Sequence, residues 1–277
     1  MLYRQLSQYG QPLSAVGIGA MSFSDFYGPV TEAQAFAIMD RALAAGINHL
    51  DTSNVYGAGQ SERFIGEYMR QNGIARETLF IATKAGIGRQ PGSTERAFIN
   101  DPAYLRAELE KSLDRLGVDY VDLFYLHRRE AARPIEEVME GLVRLKEEGL
   151  IRGIGLSEIA PTTLELAWKI GPVAAVQSEY SLATRTPELG LLSRCERLGT
   201  TFVAFAPVAR SLLTDKPRTP EQIPDLIWLN TNPRFLSPNL ERNIEATQAF
   251  REYAKSQGMT AAELAVGWVL SKSDVRM

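Results

Sequence analysis

Short apolar runs alternate with amphipathic stretches along the whole chain. The runs are SAVGIGA (14–20), INHLD (47–51), TLFIATK (78–84), YVDLFYLH (120–127), IRGIGLS (151–157), VAAVQ (173–177) and TTFVAFA (200–206). Between them the apolar positions recur at helical spacing and the ends are marked. Thr31 and Gln34 form a capping box and Gly46 stops that helix. Asp101 and Pro102 open a helix whose Leu105, Leu109, Leu113 and Leu116 form one stripe before Gly117. Pro134 opens another, with Ile135, Val138, Met139, Leu142 and Leu145 on one face and Gly149 beyond it. A last capping box, Thr260 with Glu263, starts a helix through Leu264 and Trp268.

Each run is almost continuously apolar, as a strand covered on both faces requires, so the pattern predicts a parallel sheet wrapped by helices. Seven strands are legible and an eighth begins at DVRM, residues 274–277. That count and the 277-residue length predict an α/β fold of the (β/α)8 barrel type, lacking most of its eighth strand and final helix. The rival is an open dinucleotide-binding sheet, and GIGAMS, GIGRQPG and GIGLSE all fail its G-x-G-x-x-G requirement. No linker divides the chain, so residues 1–277 read as a single barrel domain, incomplete at the carboxyl terminus. The one long irregular stretch, about 209–238, reads as a functional loop.

Composition narrows the function classes. Hydrophobic content of 45 % and charged content of 23 % are those of an ordinary soluble globular protein. A net charge of −3 without a Lys/Arg cluster gives no footprint for nucleic acid. No signal-peptide core and no apolar run of membrane-spanning length is visible. The single cysteine, Cys195, excludes an internal disulfide, so a soluble cytoplasmic protein is expected.

In a barrel the chemistry collects at the carboxyl ends of the strands. The second run ends at Asp51, the third at Lys84 and the fourth at His127. Alternation puts Ile47, His49 and Asp51 on one face, as it does Phe80, Ala82 and Lys84, and Leu123, Tyr125 and His127. The loop after Asp51 carries Tyr56 over the same spot. A lysine beside a tyrosine stabilises the phenolate and lowers a reference pKa of about 10. The aspartate keeps that lysine charged. Such a tyrosine can act as general acid toward a carbonyl oxygen whose carbon receives a hydride, with His127 donating to the same oxygen.

With DTSNVYG, ATKAG and YLHRRE in this order, the chain resembles the aldo-keto reductase family from end to end. Asp51, Tyr56, Lys84 and His127 match its catalytic tetrad. The opening YRQLSQYGQPLSAVGIGAMSFSDFYG is similar to the family's amino-terminal hairpin and first strand, and GIGLSE and VQSEYSLATRTPE resemble one branch. The resemblance implies an NAD(P)H-dependent reductase acting on small aldehydes or ketones, with NADPH as cofactor and NADH as an alternative. Ser157, Glu158 and Gln177 then hold the nicotinamide carboxamide, Glu158 standing where Asn is more common. Phe205 supplies the aromatic face against the ring in place of the usual tyrosine. Ala206, Val208, Arg210 and Ser211 follow as pyrophosphate-loop residues, acting more through backbone than side chain, although PVARS lacks the family's glycines. The rest of the eighth strand, a basic segment for the adenosine 2′-phosphate and a last helix would lie beyond Met277. A chain ending there is expected to bind NADPH weakly, to discriminate little against NADH and to self-associate at an open sheet edge.

Other readings compete. A barrel aldolase could use Lys84 as a Schiff-base nucleophile, but Asp51 beside it raises the lysine pKa when that chemistry needs it lowered. A family member retained as a non-enzymatic cofactor sensor is the other alternative. Met21, Phe26, Tyr27 and Arg128 are candidate pocket residues, with ordinary loop packing for the first three and, for Arg128 and Arg129, a solvated loop as the plainer reading. His49 reads as a hydrogen-bonded core histidine and Cys195 as a buried inert thiol. Two histidines without a neighbouring ligand pair give no metal site.

Overall fold

A computed structural model describes residues 1–6, 12–90, 92, 94–226 and 229–272. Seven parallel strands form the main sheet: β1 (Ile18–Gly19), β2 (His49–Asp51), β3 (Phe80–Ala85), β4 (Val121–Leu126), β5 (Ile151–Ser157), β6 (Ala175–Glu179) and β7 (Thr201–Phe205). Each pairs with its sequence neighbour, so the order runs without a jump from β7 to β1. All seven expected strands form. The eighth, expected from residue 274, lies outside the described residues.

Helices fill the crossovers: α1 (Glu32–Ala44), α2 (Gln60–Gln71), α3 (Pro102–Leu116), α4 (Ile135–Glu147), α5 (Pro161–Ile170) and α6 (Leu191–Leu198). After β7 come α7 (Asn239–Ala246), α8 (Gln248–Ser256) and α9 (Ala261–Leu270). The capping residues perform as their chemistry dictates. The Thr31/Gln34 and Thr260/Glu263 boxes are both closed, and the Asp101 carboxylate accepts from the amides of Ala103 and Tyr104 at 3.0 and 3.1 Å.

Strand alternation sorts the core into two shells. Outward residues such as Leu50, Ile81, Phe124, Leu126, Ile154, Leu156 and Val176 pack under the helices. Inward residues Phe80, Ala82, Leu123, Tyr125 and Ala175 fill the barrel. The antiparallel hairpin of Tyr3–Gln5 with Pro12–Ser14 adds Leu6 and Leu13 to this inner cluster and so stoppers the barrel floor. Close packing inside relies on one absent side chain. Gly155 on β5 stands opposite Tyr125 on β4, and a Cβ there would run into the ring's Cδ1 and Cε1.

At the floor, Asp122 on β4 accepts from Arg76 at 2.6 Å and from Arg152 at 3.3 Å, and both guanidinium groups lie over the Tyr120 ring. The long irregular stretch forms a small lobe over its described residues 209–226 and 229–235. It turns through three 3-10 segments, and its Leu212, Leu213, Ile223, Leu226, Leu229 and Phe235 pack with Leu240 and Ala265 into a core separate from the barrel.

Among the described residues β1 and β7 are not paired with each other. A cavity of about 280 Å3 follows this seam, from Leu6 and Leu13 at the floor past Ile18, Phe202 and Val269 to Asp51, Gln177 and Phe205 at the top.

Candidate active site

The strand ends deliver the four polar side chains to one place. Lys84 is buried completely, at 0 % exposure. Its ammonium bonds to Asp51 Oδ1 and donates to the Thr52 carbonyl at 2.9 Å. Register explains how two residues on different levels meet. Asp51 is opposite Ala82, and the chain beyond it keeps climbing beside β3, with the Thr52 amide on the Ala82 carbonyl and the Asn54 amide on the Lys84 carbonyl. Gln177 Nε2 donates to Asp51 Oδ2 at 2.8 Å, so both carboxylate oxygens are satisfied.

Tyr56 sits in the turn between β2 and α2. That turn is tied down from behind: Ser61 donates to the Ala20 carbonyl at 2.7 Å and meets Thr52 Oγ1 at 2.8 Å, and Gln60 donates to the Phe23 carbonyl at 3.1 Å. The Lys84 ammonium is 5.3 Å from the Tyr56 ring centre, near enough for its charge to act on the phenol. The His127 ring meets Tyr56 edge to face at 5.9 Å.

Burial and neighbouring charges together set the protonation states. It pulls the Lys84 pKa down, but Asp51 and Tyr56 together outweigh it and hold the ammonium above its ordinary value. Burial also raises the Tyr56 phenol, and the Lys84 charge only partly offsets that. The expected net lowering is therefore corrected: Lys84 acts in the expected direction, but desolvation is larger. His127 is held well below 6.5 by burial and by the charges of Lys84, Arg128 and Arg96, so it is neutral near pH 7.

The residues expected to hold a cofactor line the same rim. Ser157 ends β5 and its Oγ accepts from Arg128 at 3.1 Å. Glu158 follows in a left-handed conformation, φ 53°, and one of its carboxylate oxygens already accepts from the Glu179 amide at 2.7 Å. Gln177 is turned toward Asp51, as above. Phe205 closes β7 beside the seam cavity. Beyond it Ala206, Ala209, Arg210 and Ser211 all have φ between 49° and 94°, a region that favours glycine. Val208 is the exception at φ −95°. The Arg210 guanidinium is paired with Glu179 at 2.7 Å, and Ser211 Oγ accepts from the Arg218 amide at 3.0 Å.

Of the pocket candidates, Tyr27 is near enough for Tyr56, Arg210 and Arg218 to act on its phenol, which burial raises, and Phe26 packs edge-on to it at 5.3 Å. Met21 lies half-buried in the turn after β1. Arg128 is no solvated loop residue. It is half-buried and also donates to the His127 carbonyl at 2.6 Å.

His49 is corrected in part. It is a core histidine packed edge-on against Phe80 at 5.3 Å, but its Nε2 has no hydrogen-bond partner among the described residues. Cys195 is buried and its thiol is pushed up to about 12, as an inert group should be. Sequence reading missed Ser53, whose hydroxyl lies 3.1 Å from His127 Nδ1, and Arg96, delivered by a hairpin of Ile87–Arg89 with Arg96–Phe98. The QPGS stretch between those two strands is the turn signal that could have found it.

A second groove of about 770 Å3 lies between α2 and α3, away from the strand ends. Three of its cations are already engaged: Arg70 with Glu67, Arg76 with Asp122 and Arg115 with Glu62. Among the described residues no cluster of three or more His, Cys, Asp or Glu could hold a metal, and no helix is long and apolar enough to cross a membrane.

A barrel with its polar side chains converging where the strands end is built as an enzyme. The family model described as aldo/keto reductase family matches residues 15–277. An aldo-keto reductase of Schizosaccharomyces pombe named for NADP(+) is 35 % identical over 263 residues, covering 94 % of this chain and 77 % of its own length. A probable aldo-keto reductase of Glycine max is 36 % identical over 271 residues, 98 % of this chain and 77 % of its own. Among solved structures, a glycerol dehydrogenase of Gluconobacter oxydans superposes with a TM-score of 0.85 at 28 % identity, over 99 % of this chain and 84 % of that one. The holo form of a Bacillus halodurans aldo-keto reductase gives 0.81 at 29 %, over 100 % and 84 %. The chain belongs to the aldo/keto reductase family and is an oxidoreductase.

Proposed function

We propose that the protein reduces small aldehydes or ketones to alcohols with NADPH, and that Tyr56 is the general acid. The observation that carries this is the fully buried Lys84, bonded to Asp51, 5.3 Å from the Tyr56 ring centre and accompanied by neutral His127. A buried ammonium beside a phenol has one evident use, which is to stabilise the phenolate left after proton transfer.

The rim fits a dinucleotide. Its donor set combines the Ser157 hydroxyl, the Gln177 amide and the Arg128 guanidinium at one end with a loop of left-handed residues and Arg210 and Arg218 at the other. Phe205 offers an aromatic face between them, and Glu158 keeps one carboxylate oxygen for an amide donor. The relative named for NADP(+) supports the choice of cofactor, with NADH as the second candidate. When bound, the cofactor supplies the hydride to the carbonyl carbon. This chain's part is at the oxygen: His127 donates to it and fixes its direction, Tyr56 gives up its proton to it, Lys84 stabilises the resulting phenolate and Asp51 keeps Lys84 charged. Solvent then reprotonates Tyr56. Met21, Phe26, Tyr27 and Arg128 border the space left for the substrate.

Spectrophotometric NADPH oxidation across a panel of aldehydes, ketones and sugars tests this, with Tyr56→Phe as control. The variant should lose about two to four orders of magnitude in turnover while binding NADPH as before. Undiminished turnover in Tyr56→Phe would remove Tyr56 from the role.

A further inference from the structure

A neutral imidazole carries one proton, and only one of its two tautomers can donate to a carbonyl oxygen at the site. In the structure His127 Nδ1 faces the Ser53 hydroxyl at 3.1 Å, and Nε2, across the ring, has no partner among the described residues. The hydroxyl has three acceptors within reach. Besides Nδ1 these are the Lys84 carbonyl at 3.2 Å and Asn54 Oδ1 at 3.4 Å. The Lys84 carbonyl already takes the Asn54 amide at 3.1 Å. Asn54 Oδ1 is at the long limit of a hydrogen bond, and the orientation of that amide is fixed because its Nδ2 donates to Glu108 at 2.7 Å. Nδ1 is therefore the nearest acceptor and the least engaged.

We infer that Ser53 is a positioning residue for the reduction: it donates its proton to His127 Nδ1, which keeps the ring's own proton on Nε2, aimed at the carbonyl oxygen. Ser53 itself touches neither substrate nor cofactor. It is buried at 0 % exposure, so water cannot replace the hydroxyl without a new cavity. Its own place is set by the turn that carries Tyr56, whose amide donates to the Ser53 carbonyl at 3.1 Å. One short turn thus delivers the proton donor and selects the tautomer of its partner.

The inference rests on the proposed reduction for its purpose, and the tautomer can be read without any activity. The chain has two histidines, His49 and His127, so long-range proton–nitrogen correlation spectra of the full protein labelled with 15N-histidine contain two rings, and a His49→Gln sample assigns them. The wild type near pH 7.5, with and without NADP+, should show His127 protonated at Nε2. Ser53→Ala should move protonation to Nδ1 or mix the tautomers and reduce kcat for aldehyde reduction by about tenfold to a hundredfold, with NADPH affinity unchanged; Ser53→Thr, which keeps a hydroxyl, should recover much of the loss. An Nδ1-protonated His127 in the wild type overturns the inference, and that measurement stands even if Ser53→Ala does not fold. So does a Ser53→Ala protein with wild-type spectrum or wild-type kcat. If the wild type reduces no carbonyl at all, the proposed function fails while the spectra still decide the tautomer.

Discussion

At the residue scale the site is a problem in burying charge. Removing one member of a buried ion pair strands the other, which costs about 3–5 kcal/mol. Lys84→Met leaves Asp51 with Gln177 alone, and since Asp51 keeps 16 % side-chain exposure the loss should fall near 3 kcal/mol, read from urea unfolding, with activity abolished. Adding Asp51→Asn should restore part of the stability and none of the activity. His127 gives a pH effect of definite sign. Its pKa is lowered in the folded protein by burial first and then by Lys84, Arg128 and Arg96, so the unfolded chain takes up the proton first. Its stabilisation is complete above about pH 6.5 and is lost as pH falls below that, at no more than about 1.4 kcal/mol per pH unit. His49 is shifted in the same direction, chiefly by burial. His127→Gln should therefore flatten, without removing, the fall in urea midpoint between about pH 7 and 5.5; the lowered carboxylates Glu108 and Glu179 act only at more acid pH. The convergence of Asp51, Lys84 and His127 was legible because strand parity and strand ends are sequence properties, and Tyr56 because it follows Asp51 in a short turn. The direction of the Tyr56 shift was not, because desolvation depends on what other segments lay over the phenol, and neither were the partners of Ser53 and Gln177, which come from distant strands.

At the scale of elements, capping chemistry was read correctly at Thr31, Asp101 and Thr260 because a cap is a local hydrogen-bond problem. Strand length was read less well. The run 14–20 contributes only Ile18–Gly19 to the sheet, since Pro12–Ser14 pairs with the hairpin instead, a choice between partners that no local pattern encodes. The contact of Gly155 with Tyr125 belongs here too. Gly155→Ala forces β4 and β5 apart or turns a fully buried ring, and overpacking of this kind should lower stability by about 1–3 kcal/mol. Thermal or urea unfolding of the variant checks it; an unchanged midpoint would mean that the ring moves freely. The shift should spread to the site, because Tyr125 lies 5.6 Å under the Lys84 ammonium.

At the scale of the whole molecule the barrel was readable from the cadence of strands and helices, and the lobe after β7 was not. Its core of Leu212, Leu213, Ile223, Leu226, Leu229 and Phe235 has no period to announce it. A small core separate from a larger one should open as its own cooperative unit. Hydrogen exchange is expected to show amides of the lobe exchanging together, at lower free energy than those of β3, β4 and β5, and to show NADPH raising protection there; uniform exchange across lobe and barrel would count against this. The separation also bears on descent. Asp51, Tyr56, Lys84 and His127 are fixed to strand ends and an adjoining turn, while the lobe rests on a core of its own. Mutations that remodel the lobe are thereby separated from those that would damage the buried cluster, and selection can retune the loop proposed for the cofactor with little risk to that cluster. A chimera carrying a relative's lobe should change NADPH affinity while Tyr56→Phe remains as crippling as in the parent.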